Sequence, residues 1–260
     1  MAGDVPSSSG IGGSDALTII QTACQEMGIK QPSSAYSTPD VTATQLGALF
    51  NATGEMLVKR RVWRMLFREF AFAGVEGQAD YPLPPDFARP ISQTEWDTTN
   101  RWPMIGPETP QQWQWLKSGI LSTGPRERFR LVGNAISIWP VPGANQNGGG
   151  IPLPVNFSYY YISKWWANDA SGQLIPKCTN DTDVSMFDDR LMTSGVKLRY
   201  FQVKGFDTQA FAAEFQSNLD DALAQDSGAP ILSLARQPAF PLITIYNVPD
   251  GNWPAYGSGL

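Results

Sequence analysis

Few residues of the chain are of the types, or at the spacings, that catalysis and metal binding need. Histidine is absent from the 260 residues, which removes the usual general base, the Ser–His and Cys–His couples and the commonest zinc ligand. The two cysteines, Cys24 and Cys178, are too few for a disulfide framework or a thiolate cluster. Cys24 falls on the apolar stripe of a predicted helix, so we interpret it as a core residue rather than a nucleophile.

Two segments resemble ligand-binding loops but lack essential residues. Residues 181–185 begin like a calcium loop, yet Met186 and Met192 occupy the positions of the required glycine and glutamate, which excludes an EF-hand. Residues 143–150 carry glycines at the spacing of a phosphate-binding loop, without the lysine and the serine or threonine that hold phosphate and magnesium. Neither segment predicts a metal or nucleotide site.

The carboxylates give no acid–base pair by their spacing. Asp188 and Asp189 adjoin at a predicted helix start, where the helix dipole accounts for them. Glu95, Asp97 and Glu108 lie in a predicted β region without an identifiable partner. An enzyme built from carboxylates alone, as in glycoside hydrolysis, remains open. We predict no catalytic, cofactor-binding or metal-binding residue and expect the chain not to be an enzyme.

The composition indicates a structural protein rather than a nucleic-acid binder. Lys and Arg number 19 against 24 Asp and Glu, a net charge of -5, which argues against broad contact with phosphates. Charged residues make up 17%, against roughly 25% in an ordinary soluble domain. A chain poor in charge and rich in Trp, Gly and Pro has either a large core or much surface buried against partners.

No targeting segment or membrane span is predicted. The first basic residue is Lys30, so no positively charged region precedes an apolar stretch. The longest apolar runs, such as residues 241–246, fall far short of the ~20 residues that a membrane span needs. We expect a soluble protein made in a reducing compartment.

A helix pair is predicted near the N-terminus, after a small polar segment at 1–13 that we expect to stay mobile. The first helix has Ser14 as its predicted N-cap and ends at Gly28. The second begins with a capping-box pattern at Thr42 and Gln45. Their predicted apolar faces are Leu17, Ile20, Ala23, Cys24 and Met27 in the first helix, and Leu46, Leu49, Phe50, Thr53 and Leu57 in the second.

The second helix ends in the one compact basic cluster of the sequence, Lys59, Arg60 and Arg61. Cations there suit the negative end of the helix dipole. We favour dipole compensation or an ion pair with a neighbouring element, and a role in DNA contact is the alternative.

An antiparallel β module is predicted at 67–184. The clearest hairpin pairs residues 128–132 with 135–139 around a Gly-Asn turn. A short helix at 111–118, capped near Thr109, follows a rigid proline-rich connector. Further strands are predicted at 69–73, 91–96 and 155–162.

A second helix pair is predicted at 185–228. The first helix has Ser185 as its predicted cap and ends at Gly205, and the second begins at Thr208. Because each helix has one apolar stripe, the pair should pack on the N-terminal pair. The predicted fold class is therefore α+β, with a helical bundle made of 14–66 and 185–228, an inserted antiparallel β module and an extended arm.

The predicted arm comprises residues 229–260, which have no helical period and contain apolar pieces between prolines. We interpret it as an interaction arm that adds strands to a partner or wraps it; a strap lying on its own domain is the alternative. The candidate partner-binding residues, on the portal or a neighbouring subunit, are Ile231, Leu232, Leu234, Phe240, Leu242, Ile245, Tyr246, Trp253 and Tyr256.

One series of short motifs is more specific than the composition. The motifs are Tyr-Pro-Leu-Pro-Pro-Asp-Phe at 81–87, Thr-Glu-Trp-Asp at 94–97, Trp-Pro-Met-Ile-Gly-Pro at 102–107, Thr-Pro-Gln-Gln-Trp-Gln-Trp-Leu-Lys at 109–117, Arg-Phe-Arg at 128–130 with Gly-Asn at 133–134, Tyr-Tyr-Tyr-Ile-Ser-Lys at 159–164, Phe-Asp-Asp-Arg-Leu at 187–191 and Val-Lys-Leu-Arg-Tyr-Phe at 196–201. In this order they resemble the head-to-tail adaptors of short-tailed bacteriophages, also called head-completion or tail accessory factors. The resemblance covers roughly residues 15–226.

The resemblance implies a structural virion protein with a helical core and no cofactor. Such adaptors form a dodecameric ring under the portal, continue the DNA channel without sequence-specific binding, and carry the tail nozzle or tail fibres. The expected location is the neck of the virion, after synthesis in the cytoplasm of the host bacterium and without membrane contact. The alternative is a receptor- or carbohydrate-binding tail module, in which aromatic residues such as Trp113, Trp115, Trp165 and Trp166 form a stacking platform.

Overall fold

The computed structural model describes residues 13–118, 127–143 and 150–227, which form the α+β fold that the sequence predicts. Of the predicted N-terminal segment, residues 1–12 lie outside the described ranges. The helices are α1 (Ala16–Met27), α2 (Val41–Arg60), α3 (Pro110–Lys117), α4 (Asp189–Lys204) and α5 (Gln209–Ser227), with a 3-10 turn at Arg64–Leu66. The strands are β1 (Phe67–Ala73), β2 (Asp80–Pro82), β3 (Phe87–Pro90), β4 (Trp96–Asp97), β5 (Trp102–Pro103), β6 (Arg128–Val132), β7 (Ala135–Trp139), β8 (Asn156–Ser163), β9 (Ala167–Asn168), β10 (Leu174–Ile175) and β11 (Val184–Ser185).

The helix ends follow local signals, although three predicted N-caps are wrong. The N-cap residue is Asp15 in α1 rather than Ser14, and Asp40 in α2 rather than Thr42. The carboxylate of Asp40 accepts a hydrogen bond from the backbone N–H of Thr42 (2.9 Å), so the acidic residue two positions earlier supplies the cap. The C-termini of α1 and α4 are as predicted, at Gly28 and Gly205 in left-handed backbone conformation.

The cap of α4 is Asp188 rather than Ser185. Its carboxylate accepts a hydrogen bond from the backbone N–H of Leu191 (3.0 Å). Ser185 belongs instead to β11, and its hydroxyl accepts a hydrogen bond from the backbone N–H of Phe187 (3.0 Å). The helix therefore starts three residues later than predicted, because the strand pairing of Ser185 competes with helix initiation.

Helix α4 lies at the centre of the helical part of the fold. Residues 191–198 are all buried, and α1, α2 and α5 each pack against this helix. Gly195 permits the closest approach, since a Cβ atom there would lie 2.4 Å from the methyl group of Thr53 on α2. A helix covered on every side is buried core, which explains why its polar residues are buried as well.

Lys197 joins three helices through one buried ammonium group. Its Nζ donates hydrogen bonds to Glu26 of α1 (2.6 Å) and Glu214 of α5 (2.8 Å). Burial lowers the pKa of Lys197, but the hydrogen bonds to Glu214 and Glu26 outweigh it and raise the pKa above the ordinary value. The pair of carboxylates therefore holds the charged form inside the bundle.

We expect Lys197→Ala to lower the free energy of unfolding by about 2 kcal/mol, measured by urea denaturation. The substitution removes a buried cation and leaves two partly exposed glutamates beside each other. Arg190 provides the control, because it contacts the same Glu26 (3.4 Å) from a side chain that is 75% exposed. Arg190→Ala should cost less than about 0.5 kcal/mol, and equal losses in the two variants would contradict a special role for the buried pair.

The main sheet is organised around β8. Strand β1 pairs with β8 in antiparallel register from Phe67 opposite Ile162 to Ala73 opposite Asn156. The other side of β8 is shared by β3 and β4, and β5 follows β4. A second sheet has the order β2-β7-β6 and contains the predicted hairpin, and a third consists of the short strands β10-β9-β11.

The strand predicted at 91–96 is wrong. Strand β3 ends at Pro90 and β4 begins at Trp96, so the two are separate segments on the same side of β8. Between them, Gln93 has a left-handed backbone conformation (φ 66°), and the hydroxyl of Thr94 donates to the carbonyl of Ile91 (2.6 Å). This turn interrupts the extended chain between β3 and β4.

Two hydrophobic clusters fill the fold. One lies among the helices and includes Trp166, which is fully buried and whose ring centre is 6.0 Å from that of Phe50 and 6.1 Å from that of Phe187. The indole lies directly on the backbone of α2, because a Cβ atom on Gly54 would come within 2.4 Å of it. The second cluster lies between the main sheet and the β2-β7-β6 sheet and is rich in Tyr and Phe, among them Tyr81, Phe129, Phe157, Tyr159 and Tyr161.

Candidate partner-binding surface

The nine predicted partner-binding residues lie outside the described ranges. They are Ile231, Leu232, Leu234, Phe240, Leu242, Ile245, Tyr246, Trp253 and Tyr256. Their role therefore stays a prediction. Within the described ranges, two surfaces have groups available for a partner: the edge of strand β1 and a groove beside α4.

Strand β1 is an edge strand. It pairs with β8 along its full length, and within the described ranges it has no strand on its other side. Alternate residues of such a strand point their N–H and C=O groups away from the sheet, where they are available for another chain. β1 therefore presents the longest unpaired edge among the described strands.

The side chains of β1 leave room beside this edge. Glu69, Ala71 and Ala73 are exposed, whereas Phe70 and Phe72 on the opposite face are half-buried. Across the strand pair, the exposed Tyr160 donates a hydrogen bond from its hydroxyl to Glu69 (3.1 Å). The two alanines give the outer face a shallow, apolar surface that larger side chains can cover.

The end of α5 is fixed next to the start of β1. The carboxylate of Asp226 accepts hydrogen bonds from the backbone N–H groups of Arg64 (2.7 Å) and Met65 (3.1 Å). These residues lie in the turn just before Phe67, the first residue of β1. The end of α5 is therefore close to the start of β1.

The basic cluster at the end of α2 lines a groove beside α4. Arg60 donates a hydrogen bond to the amide oxygen of Gln216 (2.7 Å) and lies over the ring of Phe215, so its partner is a neutral side chain rather than the predicted carboxylate. Lys59 and Arg60 occupy the last turn of α2, as dipole compensation requires. The open groove has a volume of about 650 Å³ and is lined by Ala52, Glu55, Met56, Lys59, Arg60 and Arg199.

Arg199 makes this groove cationic. Burial lowers the pKa of Arg199, and the charge of Glu55 acts in the opposite direction. Its Nε atom is buried and has no hydrogen-bond partner in the described part of the chain. A role of the groove in contact with DNA stays a prediction.

The four tryptophans of the stacking platform do not share one exposed surface. Trp113 and Trp166 are buried, and Trp113 lies under the guanidinium of Arg130, 4.5 Å from the ring centre. Trp165 is partly buried, whereas Trp115 is 48% exposed. Two of the four rings therefore belong to the interior.

The carboxylates that the sequence analysis considered have structural partners. Asp97 is fully buried, and its carboxylate accepts hydrogen bonds from the backbone of Thr99 (2.8 Å) and from the backbone and side chain of Asn100 (2.9 and 2.6 Å). Glu108 forms a salt bridge with Arg128. Burial raises the pKa of Glu95, whose carboxylate accepts a hydrogen bond from the backbone N–H of Thr94 (3.1 Å).

Sequence reasoning missed Glu127, the neighbour of Asp97. Its side chain is buried, and no donor from the described residues reaches either carboxyl oxygen. Burial raises the pKa of Glu127 to about 8, and the nearby Asp97 acts in the same direction. The pair is therefore a neutral acid beside a carboxylate near neutral pH. Thirty residues separate the two in sequence, so spacing carries no signal for the contact.

The aspartates of the segment that begins like a calcium loop accept hydrogen bonds from backbone N–H groups. The Asp181 carboxylate accepts hydrogen bonds from the backbone N–H groups of Ala35 (2.8 Å) and Tyr36 (3.2 Å). Asp183 accepts from those of Thr179 (2.6 Å) and Asn180 (2.8 Å). These two aspartates thus fix the loop before α2 and the segment before α4.

Both cysteines are buried and lie in the helical hydrophobic cluster, which confirms the interpretation of Cys24 as a core residue. Burial raises the pKa of the Cys24 thiol and raises that of Cys178 to about 12. Within the described ranges there is no group of three or more acidic or thiol side chains arranged to hold a metal ion. The same ranges contain no helix with the length and apolar character of a membrane span.

The described residues thus combine a well-packed interior with surfaces suited to contact between proteins. Comparison with known proteins adds a family. No curated protein sequence matches the chain significantly. The family model described as SU10 adaptor protein matches residues 14–237, which include all five helices and both larger sheets. The chain therefore belongs to the SU10 adaptor protein family, a family of phage head-to-tail adaptors.

Proposed function

We propose that the protein is a structural component of the virion neck, where copies form a ring between the portal and the tail nozzle or tail fibres. The match to the adaptor family over residues 14–237 carries this proposal. In the proposed assembly, a dodecameric ring continues the DNA channel without recognising sequence. In this proposal the helical bundle lines the ring and the inserted β module faces the tail. The arm at 229–260 binds the portal or a neighbouring subunit.

The electrostatics and packing of the described residues support an architectural role. Buried groups such as Asp97, Asp183 and Cys178 are engaged in folding contacts. A closed ring needs two different faces on each subunit, each complementary to the other. The unpaired edge of β1 is a surface available for one such contact.

A net charge of -5 supports passage of DNA through the ring. A strongly basic wall would bind phosphates by counterion release and slow the movement of DNA. The cationic groove is a local exception. We assign it to contact between proteins, because the negative charge of Glu55 offsets part of the positive charge of its few cations.

Deletion of residues 229–260 tests the proposal. We expect the shortened chain to keep the circular dichroism spectrum and the melting temperature of the full chain, but to lose binding to the portal protein of the same phage and to other copies. Binding is measured by pull-down and by sizing with light scattering. Replacing the arm with a Gly/Ser linker of equal length is the control for length, and it should be equally defective.

Unchanged portal binding by the shortened chain would overturn the role of the arm. A virion whose neck is complete without this protein, seen by electron microscopy, would overturn the adaptor function itself. The alternative of a carbohydrate-binding tail module has less support, because Trp113 and Trp166 lie in the interior. Polysaccharide pull-down with the full chain would separate the two functions.

A further inference from the structure

The unpaired edge of β1 is the surface of this fold that most clearly lacks a partner. The other exposed edges are shorter, since β2 has three residues and β5 has two. The outer side of β6 is partly occupied, because Phe129 exchanges backbone hydrogen bonds with Ile105 (3.0 Å) and Glu108 (2.9 Å). β1 by contrast has seven residues and pairs on one side alone within the described ranges.

We propose that residues 242–246 of a neighbouring copy add to this edge as an extra strand. The inference rests on the proposed ring, because it needs a second copy beside the first. The segment reads Leu-Ile-Thr-Ile-Tyr and contains neither glycine nor proline, so each residue has a backbone N–H. Its β-branched and aromatic side chains favour extended structure. It is uncharged, which suits the alanines at positions 71 and 73 of the strand.

The side chains on both faces of β1 leave room for the side chains of an added strand. An added strand would place Leu, Thr and Tyr on one side of the sheet and the two isoleucines on the other. The first set would cover the exposed Ala71 and Ala73, and the two isoleucines would complete the burial of Phe70 and Phe72. Main-chain hydrogen bonds provide the affinity in this mode of recognition, and the alternate side chains provide the specificity.

The length of the chain after α5 favours a neighbour over the same copy. Residues 228–241 precede the segment and reach about 45 Å when extended, at roughly 3.3 Å per residue. A unit of this size has a radius of gyration of about 17 Å and hence a diameter of about 45 Å. The segment can therefore cross to an adjacent subunit. A linker of this length is longer than a path within one copy needs, because Asp226 holds the end of α5 beside Arg64, three residues before β1.

Each copy would then donate one strand and accept another. Donor and acceptor are different surfaces of the same chain, so the contact is head-to-tail and repeats around a closed ring. The edge of β1 would also be protected from unspecific association, which is the usual risk of an unpaired strand.

Disulfide trapping between two variants of the full chain tests the proposal. Ala71→Cys is made in one chain and Thr244→Cys in the other, and the equimolar mixture is oxidised. Both native cysteines are buried, so the introduced thiols react first. We expect a disulfide-linked species of twice the chain mass, at least tenfold more abundant than with the control pair Ser92→Cys and Thr244→Cys, in which the exposed Ser92 lies off the strand edge.

A second comparison tests main-chain pairing. Ile243→Pro in the Thr244→Cys chain removes a backbone N–H and should reduce the linked species at least tenfold. Ile243→Val keeps the N–H and a β-branched side chain, and the yield should be unchanged. Equal yields from the two variants would overturn strand addition.

Three further outcomes would overturn the proposal and are distinguishable. Rings of the two cysteine variants that give no more linked species on oxidation than the control pair leave the adaptor function standing and remove this contact. A chain carrying both cysteines that forms an internal disulfide, with no gain in mass, indicates pairing within one copy. Failure of the full chain to form rings or to bind the portal overturns the proposed function together with this inference.

Discussion

Replacing Trp166 with alanine is expected to destabilise the fold by about 4 kcal/mol. The side chain is fully buried between Phe50, Phe187 and the backbone of α2 at Gly54. Its Nε1 has no hydrogen-bond partner within the described ranges, so the loss is one of packing. For a chain of this size the melting temperature should fall by roughly 12 °C. Thermal unfolding followed by circular dichroism measures the change.

Trp115 is the matched control, because it is a tryptophan with 48% of its surface exposed. Trp115→Ala should cost less than about 1 kcal/mol. Gly54→Ala adds a methyl group where the indole already lies and should cost about 2 kcal/mol by overpacking. In the double variant Gly54→Ala/Trp166→Ala, the new methyl group occupies part of the cavity, so its cost should be smaller than the sum of the two. Strict additivity would show that the indole does not contact α2 in solution.

Substitution of Glu127 is expected to remove a large part of the pH dependence of stability. Burial beside Asp97 raises the pKa of Glu127 from 4.5 to about 8 in the folded chain. Between these two values the folded chain holds a proton that the unfolded chain has released, so a rise in pH favours unfolding. We expect about 4 kcal/mol of stability to be lost between about pH 5 and about pH 8.5, at about 1.4 kcal/mol per pKa unit.

Glu127→Gln stays neutral and can donate a hydrogen bond to Asp97, so its stability should be nearly level across this range. The variant should be more stable than the natural chain at the alkaline end and similar to it at the acidic end. Urea denaturation at several pH values measures both curves. Glu76→Gln, at an exposed position, is the control and should leave the slope unchanged. Parallel curves for the natural chain and Glu127→Gln would refute a neutral buried acid.

Elements with strong local signals were predictable from the sequence. Helix α3 begins at Thr109, whose hydroxyl exchanges hydrogen bonds with Gln112 in a capping box, and the β6–β7 hairpin turns at Gly133 in left-handed conformation. In both cases the structure is determined by residues at most three or four positions apart in the sequence. The N-caps were less predictable, because Asp40 and Asp188 each stand near a hydroxyl residue that is an equally good candidate.

Contacts between distant residues were not predictable in the same way. The apolar spacing in α4 predicts one buried stripe, whereas Thr193, Ser194 and Lys197 are buried as well. The elements that cover them are other helices. The apolar periodicity of one helix does not show how many helices pack around that helix. The meeting of Asp97 with Glu127 and the edge position of β1 likewise depend on strand order, which the residues of those strands do not encode by themselves.

The central position of α4 has a consequence for synthesis on the ribosome. Helices α1 and α2 emerge early, but the helix that covers their apolar faces is translated well over a hundred residues later. At about 5–20 residues per second, this interval is on the order of ten seconds. During that time Phe50 and Leu57 lack their native contacts with α4. We expect chaperones to bind these exposed apolar side chains. The hydrophobic interior is therefore completed only after most of the chain has been synthesised.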